Sequence, residues 1–290
     1  GWAAAAAAGC LIEWRTRGEW AQSRLLDAER ATSDRLLLNV LPAPIAGRLK
    51  SGETEIADRY EECTVLFADI VGFTGLTRSV SAREMVGMLN RIFSEFDALA
   101  DRYGLEKIKT IGDGYHAVAG VPTSRPDHTE AAAAMALAMQ AAVRAIAEAS
   151  GWPLRVRIGL DTGGPVLAGI IGTRKFAFDL WGDVVNTAAR MESHGVPDEI
   201  QVTQAVRDRL EGRYAFGERG EVEVKGLGRM RTHFLTGTGQ HDPALRGDAA
   251  AVGSNGEQTR RQGLGDQRGA ASGSGVGSGG GDYLPHVGGA

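Results

Sequence analysis

Two aspartates in the sequence are placed where they could hold a metal ion. Asp69 closes an apolar, β-branched run at residues 64–67, and Asp113 lies between two strand-like segments, residues 105–111 and 115–121. An Asp-Gly pair between such segments is a strong hairpin signal, so Asp113 is predicted at a hairpin tip. Either aspartate alone equally suits a turn. The pair favours a magnesium site, because Mg²⁺ prefers oxygen ligands and shares one or two carboxylates with substrate phosphates.

A second group of residues could bind a phosphorylated ligand. Residues 70–75 form a glycine-bearing passage into a predicted helix, and backbone amides in such a passage can hold a triphosphate. Asn186 and Arg190 are four residues apart on the helix predicted after Asp183, so they project from one face. An amide and a guanidinium together suit a ribose and a phosphate. Spacing alone fits an exposed polar helix face better, because most helical Asn and Arg side chains are solvated.

The elements that must carry these residues follow a definite order. A buried strand at residues 63–70 precedes a helix that begins with a capping box of Ser81 and Glu84. The hairpin around Asp113 comes next. The remaining core elements are a helix from Asp127 to about Ser150 and strands at residues 155–160 and 166–171. This order predicts an α+β fold with a ferredoxin-like βαββαβ core and helices on one face of the sheet.

Further short elements complete the predicted domain. Asp183 is expected to cap a helix that runs to about Ser193. Short strand patterns follow at residues 199–203, 221–225 and 231–236. These elements extend the core beyond the βαββαβ unit.

The composition is that of an ordinary soluble globular chain. The 290 residues are 43% hydrophobic and 23% charged, enough for one substantial core. The formal net charge of −4 gives no broad attraction for nucleic acid, so any phosphate chemistry must depend on a few placed cations. Only Cys10 and Cys63 are present, which excludes a disulfide scaffold and favours the reducing cytosol.

The amino-terminal part of the chain has two predicted segments. Residues 1–12 are weakly apolar and precede Trp and Arg residues, as at the cytoplasmic end of a transmembrane helix, although a surface or coiled-coil helix explains them equally. Residues 13–41 are predicted as a signalling or coiled-coil helix. Pro42 and Pro44 end that helix.

The rest of the chain divides into three parts. Residues 42–60 are interpreted as a connecting segment and residues 61–237 as the main domain. Residues 238–290 are rich in Gly and Ser with almost no large apolar side chain, so they are predicted to be disordered and to carry no chemistry.

Three segments together resemble the class III adenylyl and guanylyl cyclases. They read FADIVGFT at residues 67–74, KIKTIGDG at residues 107–114 and FDLWGDVVNTAARME at residues 178–192. Three matching blocks in the same order are highly specific. The resemblance covers about residues 40–237 and implies the class III cyclase fold, preceded by a signalling helix.

The resemblance implies which residues contact metal and triphosphate. Asp69 and Asp113 match the two metal-binding aspartates, and the carbonyl of Ile70 matches a further metal ligand. The implied cofactors are two divalent cations, Mg²⁺ or Mn²⁺. Residues that match further substrate contacts are Gly72, Phe73, Thr74 and Lys225.

The resemblance also implies how the purine is recognised. Lys109 and Asp179 match the pair that reads the base, and this pairing suits ATP rather than GTP. In a regular strand Lys107 and Lys109 point the same way, so geometry alone does not choose between them. The family spacing to Asp113 favours Lys109, which leaves Lys107 as a solvated residue.

The remaining implied roles belong to one predicted helix. Asn186 matches the residue that orients the ribose, and Arg190 matches the residue that stabilises charge on the transferring phosphate. In the family these two come from one subunit and the metal aspartates from its partner. Because this chain carries both sets, the expected assembly is a homodimer with two composite sites.

The expected function is adenylyl cyclase activity at that interface. The alternatives are a guanylyl cyclase, which Lys109 and Asp179 disfavour, and a catalytically silent cyclase-like domain, which usually lacks at least one of these positions. ATP is the expected substrate, and nucleic acid is not an expected partner. The expected location is the cytoplasmic side of an inner membrane, with an anchor amino-terminal to this chain.

Overall fold

The computed structural model of the protein describes residues 1–2, 20, 24 and 26–239, apart from 73–79 and 173–174. The predictions for Phe73 and Thr74, for residues 3–12 and for residues 240–290 therefore lie outside the described residues. Within the described part, residues 26–38 are helical, inside the helix predicted at 13–41.

The described residues form six helices and ten strands. The helices are α1 (residues 26–38), α2 (Ala43–Lys50), α3 (Ala82–Tyr103), α4 (His128–Ser150), α5 (Asp183–Ser193) and α6 (Gln204–Leu210). The strands are β1 (Ala57–Tyr60), β2 (Cys63–Val71), β3 (Glu106–Ile111), β4 (Gly114–Ala119), β5 (Arg155–Gly163), β6 (Val166–Ile171), β7 (Ala177–Trp181), β8 (Ile200–Thr203), β9 (Tyr214–Val224) and β10 (Gly228–Thr238).

Seven strands form the main sheet in the order β3-β4-β2-β5-β8-β10-β9. β2 lies between β4 and β5 and is antiparallel to both. The first four strands of this sheet, with α3 and α4, give the ferredoxin-like βαββαβ core, so that prediction is confirmed. β8 adds parallel to β5, and the β9-β10 hairpin forms the far edge.

A second, three-stranded sheet has the order β1-β6-β7, and the sequence pattern did not predict it. β6 was expected to extend the core, but it pairs antiparallel with β1 and β7 instead. β7 carries Asp179 and leads through Gly182 directly into α5. The second sheet therefore positions Asp179 and the start of α5, the helix that carries Asn186 and Arg190.

The two faces of the main sheet carry separate cores. Alternate side chains of β2 point to opposite faces, as the pleat requires. Leu66 and Ile70 pack with α3 and α4, whereas Val65 packs with α2, α5 and the second sheet. The expectation of helices on one face holds for α3 and α4, while α5 lies on the other face.

Helix boundaries follow local sequence signals at α3. Glu84 N donates to Ser81 Oγ at 3.3 Å, and Ser81 N donates to a Glu84 carboxylate oxygen at 2.9 Å, which confirms the capping box. At α5 the N-cap is Gly182, without a side-chain cap, so the prediction that Asp183 caps this helix is wrong. Asp183 is the first helical residue, where negative charge is favourable near the helix N-terminus.

The alanine-rich helix α4 is, among the described residues, the one helix long and apolar enough to cross a membrane. Its buried side chains, which include Met135, Met139 and Val143, pack in the core between the main sheet and α3. α4 is therefore a core helix of this domain.

Candidate active site

Asp69 and Asp113 lie at the same edge of the main sheet. Asp69 is near the end of β2, where it pairs in register with Gly114 of β4 and Arg157 of β5. Asp113 occupies the β3–β4 turn after Gly112, whose φ of 64° favours glycine. Because ladder pairing fixes the register of these strands, it holds both carboxylates in one region.

The electrostatics of this edge also couple the two aspartates. Burial raises the pKa of Asp69, and the negative charge of Asp113 raises it further, whereas Arg157 lowers it. Arg157 donates from Nη2 to Asp69 Oδ2 at 3.0 Å and from Nε to Glu192 Oε1 at 2.8 Å. Burial likewise raises the pKa of Glu192, against the lowering effect of Arg157. We call Asp69, Asp113, Glu192 and Arg157 the carboxylate cluster.

The carboxylate cluster fits a divalent cation. The charge of Asp113 disfavours ionisation of Asp69, and a cation between the two would remove that penalty. In the part of the chain that the structure describes, no three His, Cys, Asp or Glu side chains surround a common point. A cation here would therefore take two carboxylates and further oxygens from substrate or water, as Mg²⁺ usually does. Ile70 has a hydrocarbon side chain, which is buried, so this residue could contribute only its backbone carbonyl oxygen.

Lys109 and Asp179 form an ion pair that joins the two sheets. Lys109 Nζ on β3 donates to Asp179 Oδ2 on β7 at 2.5 Å, and Asp179 Oδ1 accepts from the Leu180 amide at 2.9 Å. A cavity of about 470 Å³ adjoins this pair, within the usual size range of ligand pockets. Its walls come mainly from residues 38–42, 106–110 and 176–179. The structure thus places both predicted base-reading residues at one cavity.

Lys107 and Lys109 point to different faces of β3, contrary to the expectation for a regular strand. The β3–β4 pairing shifts register between these two residues, as a β-bulge does. Lys107 Nζ donates to Asp97 Oδ2 of α3 at 2.8 Å and lies 5.2 Å from the centroid of the Tyr115 ring. Lys107 is therefore paired with α3 and not simply solvated, and the bulge leaves Lys109 to face the second sheet.

Asn186 and Arg190 lie on the exposed side of α5. The opposite side of this helix is buried, and it contacts β5 closely at Gly159. A Cβ at Gly159 would lie 2.0 Å from the Glu192 nitrogen, so only glycine permits this packing. The close packing fixes the helix while its Asn–Arg face remains open.

Lys225 and Gly72 lie at exposed positions. Lys225 is in the turn between β9 and β10, and Gly72 follows β2 with a φ of 90°. Among the described residues, no hydrogen bond or ion pair joins Asn186, Arg190 or Lys225 to the carboxylate cluster. Among the described residues of one chain, Asn186, Arg190 and Lys225 are therefore not bonded to Asp69 or Asp113.

Sequence reasoning missed Arg157 and Glu192. Arg157 alternates with the apolar residues Val156 and Ile158 in a predicted strand, and a charged residue in such a strand is a signal for a paired carboxylate. Its pairing with Asp69 depends on β2 and β5 being neighbours. Once the ferredoxin-like order is assumed, that neighbourhood follows, so this contact could have been predicted.

A ferredoxin-like sheet with paired carboxylates at one edge and an open Asn–Arg helix face defines a phosphate-handling α+β domain. The chain belongs to the adenylate and guanylate cyclase catalytic domain family, whose model matches residues 55–237. The resemblance to class III adenylyl and guanylyl cyclases is thereby confirmed.

Curated relatives carry both cyclase names. The chain is 49% identical over 214 residues to an adenylate cyclase of Mycobacterium tuberculosis, which covers 73% of this chain and 48% of the relative. It is 38% identical over 215 residues to the human guanylate cyclase soluble subunit beta-2, covering 73% of this chain and 35% of that protein. The chain thus spans about half the length, or less, of the curated relatives it matches.

Solved structures share the fold. The guanylate cyclase domain of RhGC from Catenaria anguillulae, in complex with GTP, matches with a TM-score of 0.60 and 37% identity over 62% of this chain and 99% of that chain. The adenylyl cyclase CyaB from P. aeruginosa matches with a TM-score of 0.60 and 25% identity over 63% and 97% of the two chains. The α+β cyclase fold is therefore the fold of this protein.

Proposed function

We propose that this chain is an adenylyl cyclase catalytic domain that converts ATP to 3′,5′-cyclic AMP and pyrophosphate. The observation that carries the proposal is the Lys109–Asp179 ion pair beside a ligand-sized cavity. Asp179 can accept from the adenine amino group while Lys109 donates to a ring nitrogen. Guanine would instead bring its carbonyl oxygen against the Asp179 carboxylate, and two acceptors cannot pair.

The comparisons support this choice of base. The mycobacterial relative named adenylate cyclase is 49% identical, whereas the human guanylate cyclase subunit is 38% identical. One further solved structure, a rhodopsin-guanylyl cyclase core with converted specificity, was obtained with ATPαS, matches with a TM-score of 0.59 and is 39% identical. Base choice therefore varies within this fold, and it must be decided by the residues at the cavity.

The carboxylate cluster would hold the divalent cations, Mg²⁺ or Mn²⁺, through Asp69, Asp113 and the backbone carbonyl of Ile70. Such cations supply charge neutralisation for a triphosphate and lower the pKa of a hydroxyl nucleophile. Arg157 donates a hydrogen bond to Asp69 Oδ2, which would restrain the orientation of this carboxylate. Gly72 lies directly beyond β2, where its backbone can approach the phosphates.

The chain's other residues orient and stabilise the reacting groups. Asn186 would orient the ribose, Arg190 would neutralise charge that develops on the α-phosphate, and Lys225 would contact the triphosphate. The 3′-oxygen forms a bond to the α-phosphorus as the bond to the departing pyrophosphate breaks, and the hydroxyl proton leaves to solvent. Positioning and charge neutralisation account for most of the rate in such transfers.

A homodimer would bring the separate groups together. Asn186 and Arg190 are exposed on α5, and no described hydrogen bond or ion pair joins them to Asp69 or Asp113 of their own chain. A partner subunit that docks on the open face of α5 could supply its Asp69 and Asp113 there. Since every chain carries both sets, one symmetric dimer would contain two complete sites.

Cyclic product formation tests the proposal. Purified protein is incubated with Mn²⁺ and either ATP or GTP, with Asp113→Asn as the matched inactive control, and the product is measured by mass spectrometry. We expect cyclic AMP from ATP and little cyclic GMP from GTP. Cyclic GMP as the main product would favour a guanylyl cyclase, and nucleotide binding without any cyclic product would favour a silent cyclase-like domain.

A further inference from the structure

His116 lies next to the Lys109–Asp179 pair, on the strand that neighbours Lys109. On neighbouring strands, His116 of β4 pairs in register with Lys109 of β3 on one side and with Phe67 of β2 on the other. Residues directly opposite each other in an antiparallel ladder share a face, with Cβ atoms about 4.5–5.5 Å apart. His116 is therefore the immediate cross-strand neighbour of Lys109, on the face that Asp179 contacts.

The ring of His116 is buried and its two nitrogens have no partner among the described residues. The residue is 1% exposed, and its ring stacks on Phe67 at 4.1 Å between centroids. Burying a donor and an acceptor without partners is costly, and such groups are rare in native proteins. An apolar residue of similar size would stack on Phe67 without that cost.

Two other buried histidines show what a structural role looks like in this chain. His128 Nδ1 lies 2.8 Å from Thr64 Oγ1, within a cluster of buried hydroxyl groups. His233 Nε2 lies 2.7 Å from Gln204 Oε1. Both rings are tied to a described partner, whereas His116 is not. The exception lies next to the base-reading pair.

The surroundings keep His116 neutral. Burial lowers its pKa to about 4, and the positive charge of Lys109 contributes to the lowering, against a smaller opposite effect of Asp179. A neutral imidazole keeps one nitrogen lone pair that can accept a hydrogen bond. The ammonium group of Lys109 has three donors, and the pair with Asp179 uses one of them.

We propose that His116 is a positioning residue that accepts a hydrogen bond from Lys109 and so determines how selectively the site reads adenine. The proposal rests on the proposed function. When a purine enters between Lys109 and Asp179 it must separate their 2.5 Å contact, and Lys109 then needs a second acceptor to stay aimed at the base. His116 is the neighbouring side chain with a free acceptor.

The test is a double-mutant cycle with His116→Phe and Lys109→Met. Phe keeps the stack on Phe67 and removes both nitrogens, so a purely structural role is preserved. We expect His116→Phe to raise KM for ATP about 10-fold, to change kcat less than about twofold and to reduce the preference for ATP over GTP. In the Lys109→Met background the same change should alter KM less than about twofold, because His116 acts through Lys109.

Two further variants and a melting experiment separate positioning from packing. His116→Asn and His116→Gln retain an acceptor near one ring nitrogen or the other, and at least one should recover part of the ATP preference. His116→Phe should melt at the same temperature as wild type or higher, since it removes unpaired buried polar groups. Equal effects of His116→Phe with and without Lys109→Met, or none in either, would overturn the proposal.

A binding measurement distinguishes this failure from a failure of the proposed function. Calorimetry with 3′-deoxy-ATP and 3′-deoxy-GTP reports base selectivity without turnover, because both lack the attacking hydroxyl. If wild type prefers 3′-deoxy-ATP but makes no cyclic AMP, the enzyme assignment is wrong. The double-mutant cycle of His116 and Lys109 is then evaluated from the measured affinities for the two analogues. If wild type shows no preference between the two analogues, the base-reading role of Lys109 and the His116 proposal are both wrong.

Discussion

The carboxylate cluster and the Lys109–Asp179 pair are built in different ways. Asp69, Asp113 and Arg157 are held by the register of neighbouring strands within one sheet. Lys109 and Asp179 lie on different sheets and are joined by a side-chain hydrogen bond. In the proposed function, the chemistry that all nucleotides share would depend on strand register within one sheet. Base choice would depend on a contact between two sheets, which substitutions can change without altering that register.

The largest expected effect comes from breaking the carboxylate cluster. Asp113→Ala or Asp69→Ala should lower kcat for cyclic AMP formation by at least about 1,000-fold, because each removes a proposed metal ligand and its stabilisation of charge in the transition state. Asp113→Asn keeps the turn residue while removing the charge, so its loss should be similar. Removing the cation with EDTA should stop wild-type turnover as completely.

The matched control for this loss is Glu95→Ala, which removes an exposed carboxylate of α3. Its activity should stay within about twofold of wild type, and circular dichroism should show the same fold for all these variants. An Asp113→Ala protein that retains turnover and an unchanged dependence on Mn²⁺ concentration would rule out the metal assignment.

A smaller, more selective effect is expected at the base-reading pair. Lys109→Glu combined with Asp179→Ser should lower kcat/KM for ATP by about 100-fold, because donors and acceptors to adenine are lost, while the value for GTP rises. Lys50→Met is the control, since Lys50 pairs with Asp34 and neither residue lines the cavity. An unaltered preference for ATP in the double variant would mean that the purine is read elsewhere.

Sequence patterns predicted more of the carboxylate cluster than of the Lys109–Asp179 pair. The βαββαβ order and the Asp113 hairpin follow from local patterns, and strand neighbours then place Asp69 beside Asp113. The Lys109–Asp179 contact joins residues far apart in sequence on two sheets, and the second sheet has no local signal. The pairing of Lys109 with Asp179 was expected only because of the family resemblance.

The bulge in β3 shows a similar limit. In a regular strand the side chains of Lys107 and Lys109 would point to the same face of the sheet. The extra residue of the bulge turns them to opposite faces. A bulge depends on the pairing of two strands rather than on the sequence of one. The choice of Lys109 therefore came from the family spacing, and the structure supplies its physical reason.

The smallest expected effect on turnover concerns Asp161, which supports α5 from β5. Its carboxylate accepts hydrogen bonds from Thr203 Oγ1 at 2.7 Å and from Thr187 of α5. Burial raises the pKa of Asp161 from its usual value of 3.8 to about 6. Between pH 3.8 and about pH 6, Asp161 is therefore protonated in the folded state and ionised in the unfolded state. Stability should fall as pH rises through this window, by roughly 3 kcal/mol in total.

Asp161→Asn should remove that slope. Urea unfolding of both proteins from pH 4 to pH 7 should show the wild-type free energy of unfolding falling relative to the variant, while activity of the variant at pH 7 stays within about threefold. Parallel stability profiles would mean that folding does not raise the pKa of Asp161.

The central claim is that Asp69 and Asp113 of one subunit meet Asn186 and Arg190 of the other only across a dimer interface. Subunit complementation tests this claim most directly. Asp69→Ala and Arg190→Ala homodimers should each be nearly inactive. After subunit exchange, half the dimers are mixed and each mixed dimer contains one intact site, so activity should return to about a quarter of wild type. Specific activity should also fall on dilution, as for any active dimer. If exchange is demonstrated independently and the mixture stays as inactive as its components, the catalytic groups lie within one chain and the composite site is wrong.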